Sequence, residues 1–144
     1  MATPMSVSIV SAEEEVWRGE AEMVVARSPE GEFAILHSHI PFLAALVPGR
    51  VSIVSGNERA EFFVAGGFLE ASRSESDDDG HDYHVIILAD DAEDLSQIDA
   101  TEARRRLEEA RAEASGESDE RAEARMRIEM ARVELAESGR GSRS

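Results

Sequence analysis

The histidines are the side chains best placed for chemistry in this 144-residue sequence. His37 and His39 stand two apart, so on a strand both imidazoles would face one side, as metal ligands do. His81 and His84 form a second pair beside Asp82. A metal centre needs further ligands, and the stretch from Ile40 to Val47 supplies no carboxylate. Turn or surface histidines are therefore the expectation. Glu75-x-Asp77-x-Asp79-Gly80 opens like a calcium loop, but Ile86 stands where the closing bidentate Glu belongs. A solvated acidic hairpin loop is expected there. Arg104-Arg105-Arg106 could form an anion patch, yet Glu102, Glu108 and Glu109 surround it, which reads as a solvated helix face. The chain has no Cys, no phosphate-binding Gly loop and no nucleophile elbow. Nothing assembles a nucleophile, a base and an oxyanion site, so a binding or structural subunit is expected, not an enzyme.

The charge balance narrows the partners. Thirty-one Asp and Glu face fifteen cations, all of them Arg, for a net charge of −16. A general nucleic-acid binder is excluded on that count, because such proteins neutralise phosphates with a surplus of cations. Apolar residues make up 42% of the chain, enough for a packed core. The N-terminus shows no basic region before an apolar run, and Ile40–Val47 is far shorter than the ~20 residues a membrane helix needs. A soluble, cytoplasmic protein is the expectation.

The elements that would position these residues change character near Asp90. Before it lie most of the Val, Ile, Phe and Gly; after it lie ten of the fifteen Arg, many Ala and no aromatic residue. Alternation and short apolar runs predict strands at Ser6–Val10, Val16–Trp17, Met23–Arg27, Phe33–His37, Val51–Ser55, Glu61–Ala65, Phe68–Ala71 and Tyr83–Ala89. Arg18-Gly19, Ser28-Pro29-Glu30-Gly31, Pro48-Gly49 and Gly56-Asn57 suit turns between them. Gly66-Gly67 predicts a bulge or a corner. Many short strands at this spacing predict a sandwich or barrel.

Beyond Asp90 the period becomes helical. Ala103, Leu107, Ala110 and Ala114 share one face of a first helix, and Ser115-Gly116-Glu117-Ser118 breaks it. Ser118 is the expected cap of a second helix, with Asp119 and Glu120 at its positive end. That helix carries Ala122, Met126, Met130 and Val133 on one seam and Ile128, Ala131 and Leu135 on another. Gly139 is the expected stop. The seams are thin, so an antiparallel hairpin held weakly is predicted.

The run Gly31-Glu32-Phe33-Ala34-Ile35-Leu36-His37-Ser38-His39-Ile40-Pro41-Phe42-Leu43-Ala44-Ala45-Leu46-Val47-Pro48-Gly49 resembles the epsilon subunit family of bacterial F-type ATP synthase. Ser11-Ala12-Glu13, Val64-Ala65-Gly66-Gly67-Phe68-Leu69-Glu70 and Leu88-Ala89-Asp90 extend the match over nearly the whole chain. The family usually has Gly, Pro and Gly where Ala34, His37 and Ser38 stand, and its loop at 72–83 is usually shorter and less acidic.

The resemblance implies a β-sandwich of about ten strands over residues 1–90, a two-helix regulatory hairpin over 91–138 and a flexible tail over 139–144. It implies a non-catalytic rotor subunit that joins the gamma subunit to the c-ring and restrains ATP hydrolysis through its C-terminal helices. Contact with the catalytic alpha and beta subunits would be transient. The expected place is the cytoplasmic face of the bacterial plasma membrane, without insertion into the bilayer. Glu32 and His39 correspond to the family's c-ring-facing turn. Some members hold ATP through Ile/Leu-Asp-x-x-Arg-Ala; here Ile98, Asp99 and Ala103 match, and Glu102 replaces the Arg. A carboxylate repels phosphate where a guanidinium would pair with it, so ATP is expected to bind weakly or not at all. The alternative from another class is a small metal-dependent, cupin-like β-barrel enzyme using His37 and His39. Its motif needs a Glu near Leu43 or Ala44, and none stands there.

Overall fold

The computed structural model describes residues 3–73, 80–116 and 119–141. Ten strands come first: β1 Met5–Val10, β2 Glu15–Ala21, β3 Met23–Ser28, β4 Gly31–Leu36, β5 Phe42–Leu46, β6 Gly49–Ser55, β7 Glu58–Val64, β8 Gly67–Arg73, β9 Tyr83–Ala89 and β10 Ala92–Asp94. They form two five-stranded sheets, ordered β2-β1-β9-β8-β5 and β10-β7-β6-β3-β4. Among the described residues every strand pair is antiparallel except β1 with β9, which run parallel. In β1 the residues Met5, Val7 and Ile9 are fully buried, while Ser6 and Ser8 alternate outward, as a sheet with one face on a core demands. Inward residues from both sheets close the core, among them Val24, Ile35, Ile53, Phe62, Leu69, Tyr83, Val85 and Ile87. This is a β-sandwich.

Two strands are not legible from alternation. In β5, Phe42, Ala44 and Leu46 turn inward, but outward Leu43 and Ala45 are apolar too, so the period of two is hidden. The last strand, β10, has only three residues, two of them acidic, and pairs with Phe62–Val64 of β7. The composition break at Asp90 therefore falls one strand short of the end of the sandwich.

Arg18-Gly19 is not a turn. The β2 strand runs through it, paired with Ser8 and Val7 of β1. Gly19 is there because the Trp17 indole folds across it: a Cβ would sit 2.8 Å from a ring carbon. Gly66-Gly67 is the corner at which the chain leaves β7 in one sheet and enters β8 in the other. Both have strongly positive φ, +135° and +134°.

After a short 3-10 turn, Leu95–Gln97, two helices follow, α1 Ala100–Gly116 and α2 Glu120–Gly141. Arg104 pairs with Glu137 near one end and Arg125 with Glu113 near the other, so they run antiparallel as a hairpin. Ala103, Leu107 and Ala110 are the buried face of α1, as the spacing predicts. Ser118 lies outside the described residues; Asp119 caps α2, its carboxylate accepting from the Ala122 amide at 2.8 Å. Gly139 does not stop α2, which continues to Gly141. A single Gly lowers helix propensity by about 1 kcal/mol, too little to end a helix by itself. The tail expected from residue 139 accordingly starts within the helix.

Candidate functional site

One end of the outer face of the first sheet carries an apolar cluster, around Glu70, while Ser6, Ser8, Ser72 and His84 on the same face are polar. Register places Ala45, Phe68 and Leu88 side by side across β5, β8 and β9, and Leu43, Glu70 and Ile86 in the next row. Leu88 is in turn opposite Val10 of β1. These side chains are exposed: Leu43 67%, Phe68 54%, Leu88 55% and Ile86 38%. Scattered surface apolar residues need no explanation, but a contiguous patch across neighbouring strands marks an interaction surface. The signal is present in the sequence as strands apolar on both faces, Phe68-Leu69 and Val85 to Ala89 above all.

On the other sheet the hairpin is docked. Here the buried stripe of α2 is not either apolar seam expected from the sequence. Glu129, Arg132 and Ala136 are buried, while Met130 is 46% exposed and Ile128 and Leu135 are half-buried. Arg132 lies over the ring of Phe63, 4.9 Å from its centroid, and bonds Glu93 at 2.8 Å. Phe63 is itself fully buried although it points away from the sandwich core. Residues at 129, 132 and 136 have helical spacing, so the stripe is visible in the sequence, but its charge disguises it.

The two positions assigned to the c-ring turn do not lie on one turn. Glu32 is exposed near the start of β4, opposite Arg27 of β3, at a cleft of about 390 Å³ between the sandwich and α2. His39 lies beyond the other end of β4, where its Nδ1 donates to the Ile40 carbonyl at 2.7 Å and its ring meets Phe42 edge-on. From Glu32 to Leu36 alone the strand spans ~13 Å.

The histidines serve different partners. His37 Nε2 contacts the Asp82 carboxylate at 2.6 Å, joining the loop after β4 to the start of β9. That hydrogen bond holds the Asp82 carboxyl below its ordinary range. His81 contacts Glu20 of β2 at 3.0 Å. Among the described residues no three His, Asp or Glu converge as metal ligands do. Residues 74–79 of the acidic loop, with most of the calcium-loop pattern, lie outside the described residues.

The residues matching the nucleotide motif build the start of α1. Asp99 is its cap: the side chain accepts from the Thr101 amide at 2.9 Å, and its carbonyl from the Ala103 amide at 2.9 Å. Ala103 is buried at 1% exposure and Ile98 is half-buried. Glu102 is engaged by Arg105 and, at 3.5 Å, by Arg106, and the Arg105 hydrogen bond holds its carboxyl down to about 2. Asp99→Ala should therefore destabilise the first turn of α1 by about 1 kcal/mol. Amide exchange at Thr101–Ala103 should accelerate about fivefold, and unchanged exchange would remove Asp99 from the capping role.

The same architecture recurs in known proteins. The family profile described as ATP synthase, Delta/Epsilon chain, beta-sandwich domain matches residues 4–95, which takes in all ten strands. The ATP synthase epsilon chain of Hydrogenovibrio crunogenus is 42% identical over 140 residues, covering 95% of this chain and 85% of that protein. The ATP synthase epsilon chain 1 of Methylococcus capsulatus is 42% identical over 141 residues, 95% of this chain and 89% of that one. A chain of the Euglena gracilis mitochondrial ATP synthase, solved with its c-ring, superposes with a TM-score of 0.69 at 25% identity, over 94% of this chain and 81% of that chain. No helix among the described residues is long and apolar enough to cross a membrane.

Proposed function

This chain belongs to the ATP synthase epsilon family, and from that premise we propose that it is a central-stalk rotor subunit without an active site of its own. The observation that carries the reading is the exposed apolar row Ala45–Phe68–Leu88 with Leu43 and Ile86 beside it. A partner must cover such a face, and the gamma subunit is the one we assign to it. These side chains are already partly buried, so covering the rest contributes about 1 kcal/mol each, to which a polar rim adds. Glu32 and His39, carried over from the family, are the proposed contacts with the c-ring. Because they sit at opposite ends of β4, they would meet the ring at separate points. The complex would hold the chain at the cytoplasmic face of the bacterial plasma membrane as a peripheral component. Nothing favours the metal-enzyme alternative, since His37 and His39 turn to different partners.

The hairpin is the proposed regulatory part, restraining hydrolysis when it leaves the sandwich for the catalytic alpha and beta subunits. Its grip on the sandwich supports this. Where an apolar core would hold it firmly, the centre of the contact is an ion-pair cluster, whose desolvation cost offsets much of its attraction. ATP is proposed not to govern the hairpin, because Asp99 and Glu102 are occupied in the chain's own helix start.

Truncation tests both halves of the proposal. Among the described residues the sandwich core contains none beyond Ala92, so a chain ending at Gln97 should fold and join gamma, and hydrolysis by the assembled enzyme should rise or stay level. A chain ending at Asp90 lacks β10, uncovers the β7 edge and should be less stable. Loss of gamma binding by the chain ending at Gln97 would contradict the assignment of docking to the sandwich.

A further inference from the structure

Arg132 is almost fully buried, at 4% exposure, yet among the described residues of the hairpin no other cation pairs with as many carboxylates. Its Nε donates to Glu93 at 2.8 Å, one terminal nitrogen pairs with Glu129, and the other lies 3.6 Å from Asp91. Its flat face covers the ring of Phe63. One side chain of α2 thus gathers two carboxylates and an aromatic ring from the sandwich side, and a carboxylate from its own helix. We infer that Arg132 is the positioning residue that fixes the docked pose of α2, and that it does so in a way that resists salt.

The geometry needs a guanidinium. Its planar fork can serve three carboxylates in different directions while its face stacks on an aromatic ring; an ammonium is a point charge and does not stack in that way. Burial alone would pull Arg132 down, but hydrogen bonds to Glu129 and Glu93 outweigh it and hold its proton more firmly than usual.

The other ion pairs of the hairpin behave differently. Arg104–Glu137 and Arg125–Glu113 have side chains roughly half exposed, and Arg106 approaches Glu93 only at 3.9 Å. Exposed pairs are screened at 1 M salt, where the Debye length is about 3 Å; Arg132 is screened less because its own side chain is buried, although its sandwich-side partners Glu93 and Asp91 are 32% and 59% exposed. Apolar packing is too thin to replace them, since the buried stripe of α2 is Glu129, Arg132 and Ala136 while Met130 is exposed. Arg132 is what is left to hold the pose in strong salt. The inference stands on the docked geometry and is independent of whether the hairpin regulates hydrolysis.

The absence of Cys allows a direct distance measurement on the full chain. Spin labels at Glu58→Cys on the sandwich and Arg127→Cys on α2, both exposed positions, report docking by pulsed electron resonance. The otherwise unmodified chain should give one narrow distance in dilute buffer and in 1 M NaCl. Arg132→Met keeps much of the bulk but strands the buried Glu129 and leaves Glu93 only the more distant Arg106, and should cut the docked fraction at least threefold in both. Arg132→Lys keeps the charge and should dock in dilute buffer, then lose at least half of the docked fraction in 1 M NaCl. Unchanged Trp17 fluorescence would show that the sandwich is intact in each variant. A docked fraction in Arg132→Met equal to that of the parent, Arg132→Lys insensitive to salt, or a parent chain that opens in 1 M NaCl would each overturn the inference.

Discussion

Gly67→Ala is expected to leave the chain unable to fold. The added Cβ would sit 2.0 Å from the Leu88 carbonyl oxygen and 3.0 Å from the Ala89 Cα, both backbone atoms of the neighbouring strand. Neither can retreat cheaply. Gly67 is paired with Ala89 in the β8–β9 ladder, the Asp90 amide bonds the Gly66 carbonyl at 2.9 Å, and the Ala65 amide bonds the Asp91 carbonyl at 2.9 Å. The φ of +134° adds strain for any residue with a Cβ, of order 1–3 kcal/mol. Clash and strain together should exceed about 4–5 kcal/mol, comparable with the whole stability of a small domain. Gly56→Ala is the control. Its φ is also positive, at +61°, but nothing lies within 4 Å, so only about 1–2 kcal/mol should be lost. Circular dichroism with urea unfolding checks this: Gly67→Ala should show no folded baseline, and a midpoint equal to that of Gly56→Ala would mean that the corner is not the constraint described.

That corner is legible because two adjacent glycines between apolar runs weaken a strand unless the backbone there must bend or pass close to a neighbour. Most of the sandwich is legible for a related reason: β1, β3, β6 and β9 are either alternating or continuously apolar between turn residues. What escapes does so where one signal imitates another. Apolar Leu43 and Ala45 on the outer face hide β5, although that same outward apolarity is the basis of the docking face proposed above. Trp17 needs a glycine beneath it, so Gly19 imitates a turn. On α2 the buried stripe contains a Glu and an Arg, and any rule that sends charge to the solvent rotates the helix wrongly. Spacing shows that no carboxylate follows His39 before Gly49, but not what the histidines do instead. The contact of His37 with Asp82 crosses 45 residues, which spacing cannot show.

The second large effect is expected at the apolar face. Phe68→Glu with Leu88→Glu would place two carboxylates in the centre of the proposed contact, on neighbouring strands and in register. In the free chain both side chains are more than half exposed, so the sandwich should keep its stability to within about 1 kcal/mol. In the proposed complex the same carboxylates would be taken out of water where apolar side chains stood, and the lost apolar area adds to that cost. Affinity for gamma should fall at least about a hundredfold, equivalent to about 2.7 kcal/mol. Substituting Arg59 and Glu58, exposed at the start of β7 in the other sheet, should change it less than about threefold. Isothermal titration with purified gamma gives both numbers.

Hydroxyl-radical footprinting of the full chain with and without gamma would show whether gamma covers the outer face of the β2-β1-β9-β8-β5 sheet. Leu43, Phe68, Ile86 and Leu88 should react readily in the free chain, in keeping with their exposure, and become protected on complex formation. Met130 on the outer side of α2 should stay reactive in both. Protection confined to α2 or to the other sheet, with Phe68 and Leu88 as reactive in the complex as in the free chain, would mean that gamma sits elsewhere.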